Sequence, residues 1–123
     1  MAKVDASVIK IVQKFISRLE KDGIHIESAY LFGSYARGAE LTWSDIDVAI
    51  IASNISDDRL DERIRFTKLS SAIDSRIEPV PFKPETFVDE DPLVWEIKKE
   101  GILIEYISRN KQGFVSLAGV KIK

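Results

Sequence analysis

Apolar residues recur along this chain with two different periods, and the alternation between them predicts its elements. From Asp5 to Lys21, Val8, Ile9, Ile11, Val12, Phe15, Ile16 and Leu19 fall at helical spacing, one stripe of an amphipathic helix. Asp5 suits its N-cap and Gly23 its C-terminal stop. Ile24 to Phe32 reads as the first strand and Ile46 to Ile51 as the second, with a short helical segment from Ser34 to Arg37 between them, closed by Gly38. Ser56 to Asp74 carries Leu60, Ile64, Leu69 and Ile73 among charged positions, a second long helix with Ser56 or Asp57 as its cap. Arg76 to Phe82 reads as a third strand. Pro79 and Pro81 lack the N–H that a central ladder needs, so it is expected at an edge. A helix from Pro92 to Glu100, using Leu93, Val94 and Ile97, is capped by the acids Asp89, Glu90 and Asp91 and stopped by Gly101. Ile102 to Ile107 then makes the last strand.

The sum is an α+β fold, a mixed sheet of about four strands flanked by helices, in one domain over residues 1–107. Residues 108–123 are expected to be a C-terminal tail with Gly113, Gly119 and a basic end, which either frays or docks on a partner. Composition agrees. With 123 residues, 45% hydrophobic and 31% charged, the chain can bury one core and is not disordered. A formal charge of −2 provides no global attraction to nucleic acid, so affinity for a polyanion needs a metal or a local patch. The absence of cysteine excludes disulfides and thiolate metal sites, and the lack of a long apolar run or leader-like start reads as cytoplasmic.

The chemistry concentrates between Ala29 and Ile51. Asp45 and Asp47, two apart at the head of a strand, point to one face while Ile46 and Val48 point to the other. Paired carboxylates at that spacing suit two hard cations about 3.5–4 Å apart, and Mg²⁺ prefers such oxygen ligands together with substrate phosphate. Upstream, Gly33 and Ser34 stand where a strand turns into a helix. Glycine there allows a phosphate to approach the backbone, and Ser34 adds a hydroxyl; the plain alternative is a turn with Ser34 as N-cap. Arg37 either approaches the phosphates or pairs with Glu40, and Trp43 either stacks on a base or packs against the turn. His25, the only histidine, has no cysteine or second histidine nearby and is read as structural. Glycine-serine, ten residues, then Asp-x-Asp arises by residue usage in roughly one chain in a thousand of this length.

On the residues Gly33-Ser34-Tyr35-Ala36-Arg37-Gly38 and Ser44-Asp45-Ile46-Asp47, the chain resembles the minimal nucleotidyltransferases of the DNA polymerase β superfamily. That group includes antitoxins paired with HEPN ribonuclease toxins. The core of the likeness covers Phe32 to Ile51, with a weaker likeness through Gly101 to Tyr106. It implies ATP with its phosphates on Gly33, Ser34 and Arg37, two Mg²⁺ ions on Asp45 and Asp47, and a third carboxylate on the next strand. Glu78 occupies that position where the family commonly has Asp; Asp74 and the lack of any third acid are the alternatives. The implied reaction is transfer of AMP to a hydroxyl, with a tyrosine of a HEPN toxin as acceptor, because no acceptor-holding domain is present in these residues. Two competitors stand beside it: a module that binds a nucleotide or neutralises a toxin by contact alone, and a transferase acting on a small-molecule hydroxyl. Oligomeric state is left open.

Overall fold

The computed structural model describes residues 4–41, 43–105, 107–110 and 113–116. Helix α1 (Ala6–Lys21) starts where the Asp5 carboxylate accepts the Ser7 N–H at 2.8 Å, and buries Val8, Val12, Phe15, Ile16 and Leu19. Strand β1 (Ile26–Phe32) begins two residues later than the apolar run, because Asn54 claims the intervening backbone. It accepts the His25 N–H and donates to the Gly23 carbonyl, each at 2.7 Å. After α2 (Ser34–Arg37) and β2 (Ile46–Ala52), helix α3 (Arg59–Ser71) crosses over to β3 (Ile77–Phe82), which therefore runs parallel to β2. A 3₁₀ turn at Pro84–Thr86 leads to α4 (Pro92–Glu100), capped by Asp91 and ended at Gly101 as expected, and then to β4 (Ile102–Leu103).

The sheet order is β3-β2-β1-β4, with β1 antiparallel to both neighbours. The proline-bearing β3 is an edge strand, as its missing donors require. Central β2 is buried on both faces. Ile46, Val48, Ile50 and Ala52 join Ala29, Leu31 and Ile77 beneath α1 and Phe66 of α3, whereas Ala49 and Ile51 join Phe32, Val80 and Phe82 beneath α4.

Three expectations change. The α3 cap is Asp58, whose carboxylate accepts the Asp61 N–H at 3.1 Å, rather than Ser56 or Asp57. Only half of the expected stripe of this helix is inward: Leu69 and Ile73 pack against the core, but Leu60 and Ile64 are 69% and 48% exposed, while Glu62, Phe66 and Ser70 are buried. Glu62 tolerates burial because it accepts the Ser56 N–H at 3.0 Å and pairs with Arg65 at 3.3 Å. Finally, the last strand is not continuous. β4 ends at Leu103, and Ile107 belongs to β5 (Ile107–Asn110), which forms an antiparallel hairpin with β6 (Gly113–Ser116) inside the stretch expected to be tail. Tyr106 and residues 117–123 lie outside the described residues. Among the described residues no helix is long and apolar enough to cross a membrane.

Candidate active site

Side-chain alternation and strand register together assemble the site. Phe32 of β1 stands opposite Asp47 of β2, and Asp47 opposite Glu78 of β3. All three lie on the sheet face that α4 covers further along, since Phe32, Val80 and Phe82 share that cluster. The row meets the open end of the sheet, where β1 finishes and β2 begins. Asp45 stands one residue before β2, exposed, and its charge acts on Asp47.

Gly33 brings the turn against this row. Its φ of +73° is one that a side chain resists, and a Cβ there would overlap the Asp47 carboxylate. Glycine is thus required twice at one position. Gly33, rather than Ser34, is the N-cap of α2, and no side chain caps the helix start. Ser34 opens the helix, so the expectation of Ser34 as a capping residue gives way to a hydroxyl placed one residue inside it. Gly38 ends the helix in the left-handed conformation.

Below the turn lies a tie absent from the sequence-based expectations. The buried Tyr35 hydroxyl accepts from Arg76 Nη1 at 3.3 Å, and Arg76 in turn grips Asp74 through Nε and Nη2 at 3.1 and 2.9 Å. The Arg76 carbonyl accepts the Ile46 N–H at 2.8 Å, fixing the residue between the two aspartates. The Arg76 hydrogen bond holds the Asp74 carboxyl below the usual range, so Asp74 is engaged elsewhere. Glu78, not Asp74, is the acid in register with Asp47.

Asp47 carries the electrostatic signature of the site. Burial, then repulsion from Asp45 and Glu78, pushes its carboxyl up to about 6, against the opposing pull of Arg37 and Arg63. Arg63 is one of the charged positions along α3. It lies 3.6 Å from Glu78, and Arg59, four residues earlier, sits over the Phe82 ring at 4.8 Å. No local spacing signals these contacts, since four residues span about 6 Å on a helix and about 13 Å on a strand. Arg37 is exposed and, among the described residues, forms no ion pair with Glu40. Trp43 is 77% exposed, so the packing reading of that residue fails. No three metal-ligating side chains among the described residues converge into a finished cage. The acids are neighbours, with Glu78 turned toward Arg63.

Residues 13–112 match the family described as Polymerase beta, Nucleotidyltransferase. The chain belongs to this family. Against protein adenylyltransferase MntA of Shewanella oneidensis, the nucleotidyltransferase chain is 38% identical over 77 residues, 59% of its own length and 52% of that relative's. It therefore spans about half of that curated protein. A solved toxin–antitoxin structure with AMP-PNP is similar with a TM-score of 0.56 and 28% identity, over 81% of this chain and 75% of that one. A crystal structure of a candidate nucleotidyltransferase from Sulfolobus solfataricus gives a TM-score of 0.57 at 22% identity, over 89% and 86% of the two chains, and shows the shared fold.

Proposed function

We propose that this nucleotidyltransferase-family chain transfers AMP from ATP to a hydroxyl of a partner protein, a tyrosine of a HEPN-type toxin, and so acts as the antitoxin. The observation that carries the reading is the Phe32–Asp47–Glu78 register with Gly33 seated on the Asp47 carboxylate. A glycine turn suited to accept phosphate beside a carboxylate row supports the reading, because a contact-only binder has no use for that pairing. The adenylyltransferase relative and the AMP-PNP-containing neighbour support the same chemistry and pairing.

The donor set suits a hard divalent cation. It is all oxygen, and the mutual repulsion felt by Asp47 is what a cation would relieve. Bound at Asp45 and Asp47, with Glu78 drawn from Arg63, Mg²⁺ would supply charge neutralisation at the α-phosphate. The residues do the rest. Gly33 and Ser34 present backbone N–H and hydroxyl donors to the triphosphate, and Arg37 adds a cation at its rim. Glu78 accepts the proton of the attacking hydroxyl. The acceptor oxygen bonds to the α-phosphorus, the bond from that phosphorus to the bridging oxygen breaks, and pyrophosphate leaves.

The test is mass spectrometry of the toxin co-expressed with this chain and supplied with ATP and Mg²⁺. Addition of AMP to a tyrosine, lost with Asp47→Asn, is the expected result. An unmodified toxin that is nonetheless neutralised equally by the native chain and by Asp47→Asn would instead establish inhibition by contact.

A further inference from the structure

The cations of this protein are unevenly employed. Arg59 covers Phe82, Arg63 and Arg65 meet Glu78 and Glu62, Arg76 grips Asp74, and Lys83 and Lys98 pair with Asp57 and Asp89. Helix α1 differs. Lys10, Lys14, Arg18 and Lys21 are exposed, and among the described residues only Arg18 is ion-paired, with Asp22 at 3.1 Å. Its sole acid is Glu20. In a chain whose formal charge is −2, α1 thus carries four cations against one acid.

These side chains line a shallow groove of about 480 Å³ whose remaining wall includes Ala72 and Ile73, just beyond α3. Lys10 to Lys21 spans about 16 Å of helix axis, three turns. The lysine methylenes add apolar surface to Ala72 and Ile73 while their ammonium groups stay at the rim. We infer that this groove docks an acidic amphipathic helix of a partner protein, apolar side chains on the floor and carboxylates against the lysines. Charge complementarity selects the sign of the occupant, and the apolar floor selects its kind. A nucleic-acid strand would use aromatic faces for stacking, and among the described residues no aromatic side chain lines the groove. The inference does not rest on the transfer reaction, since no groove residue belongs to the carboxylate row.

The experiment is an NMR titration of the full ¹⁵N-labelled chain with three probes. These are a helical peptide of about five turns with Glu on every fourth position and Leu beside them, an oligoglutamate of equal charge, and a single-stranded RNA of matching length. Expected are shifts confined to the α1 amides and those of Ala72 and Ile73 with the amphipathic peptide, and binding at least tenfold weaker for oligoglutamate. Lys14→Glu/Lys21→Glu should weaken the peptide at least tenfold, whereas Lys99→Glu, on α4 at the opposite face of the sheet, should not. Thermal melts and ATP binding unchanged in both variants exclude a folding defect. Stronger binding of RNA would assign the groove to nucleic acid. Absence of peptide binding, or equal loss with Lys99→Glu, would overturn the inference.

Discussion

Asp47 is held in a conflict that its surroundings create, and the conflict can be measured. Its carboxyl is half-buried beside Asp45 and Glu78 and is raised to about 6 from an ordinary value of 3.8. Between those values the folded protein binds a proton that the unfolded chain releases, so stability falls as pH rises through that window. Above pH 6 the full repulsion is present. Asp47→Asn removes it. In the presence of a chelator the variant should therefore be more stable than the native protein at pH 7.5, by about 1 kcal/mol once the linkage is discounted for solvent access. The difference should vanish below pH 4, where the native carboxyl is protonated. Denaturant melts at several pH values check this, and a pH-independent difference would mean that Asp47 is stabilised by something other than relief of charge. At this scale much of the site could be read in advance. Spacing alone placed Asp45 and Asp47 together and put Gly33 at a turn. That Gly33 touches Asp47 was not readable, because it depends on the β1–β2 register, which no local pattern specifies.

At the scale of elements, legibility followed how completely one face was buried. Helix α1 was read correctly because its stripe lies against the whole sheet, and α4 because Asp91, Pro92 and Gly101 mark both ends. Helix α3 misled. Its apolar positions Leu60 and Ile64 face solvent, and its burial rests on Phe66, which meets Phe15 of α1 edge-on with ring centroids 6.5 Å apart. Phe66, Leu69 and Ile73 turn toward the core and set the orientation of this helix, and two arginines reach from its flank toward β3. Phe66→Ala should accordingly cost about 3–5 kcal/mol, whereas Leu60→Ser/Ile64→Ser should stay within about 1 kcal/mol. Urea unfolding midpoints separate them. Comparable losses from both would show that the exposed pair is covered in solution. The hairpin β5–β6 escaped prediction for a related reason: Ile107–Asn110 and Gly113–Ser116 are short, and the alternation in such brief runs is indistinguishable from irregular chain.

For the molecule as a whole, the fold and the site pull against each other, and a ligand decides the balance. The sheet spends the end of its central strand on carboxylates that repel, with Tyr35, Arg76 and Asp74 bracing the same end. Such a domain should be stabilised most by whatever neutralises the row. ATP with Mg²⁺ at a hundred times the dissociation constant adds about 2.7 kcal/mol to the native state by mass action. For a chain of this size that corresponds to a melting point roughly 10 °C higher. Without Mg²⁺ the triphosphate adds its own charge to the row, and the rise should largely disappear. Asp47→Asn is expected to melt above the native protein in chelator, yet to gain little from ATP and Mg²⁺, so that the ranking of the two proteins reverses on adding ligand. Calorimetric scans at pH 7.5 with and without Mg²⁺ provide all four values. Reversal requires that one carboxylate both burden the empty fold and hold the ligand. Equal gains in the two proteins would place nucleotide binding away from Asp47, and no gain in either would mean that the partner completes the site.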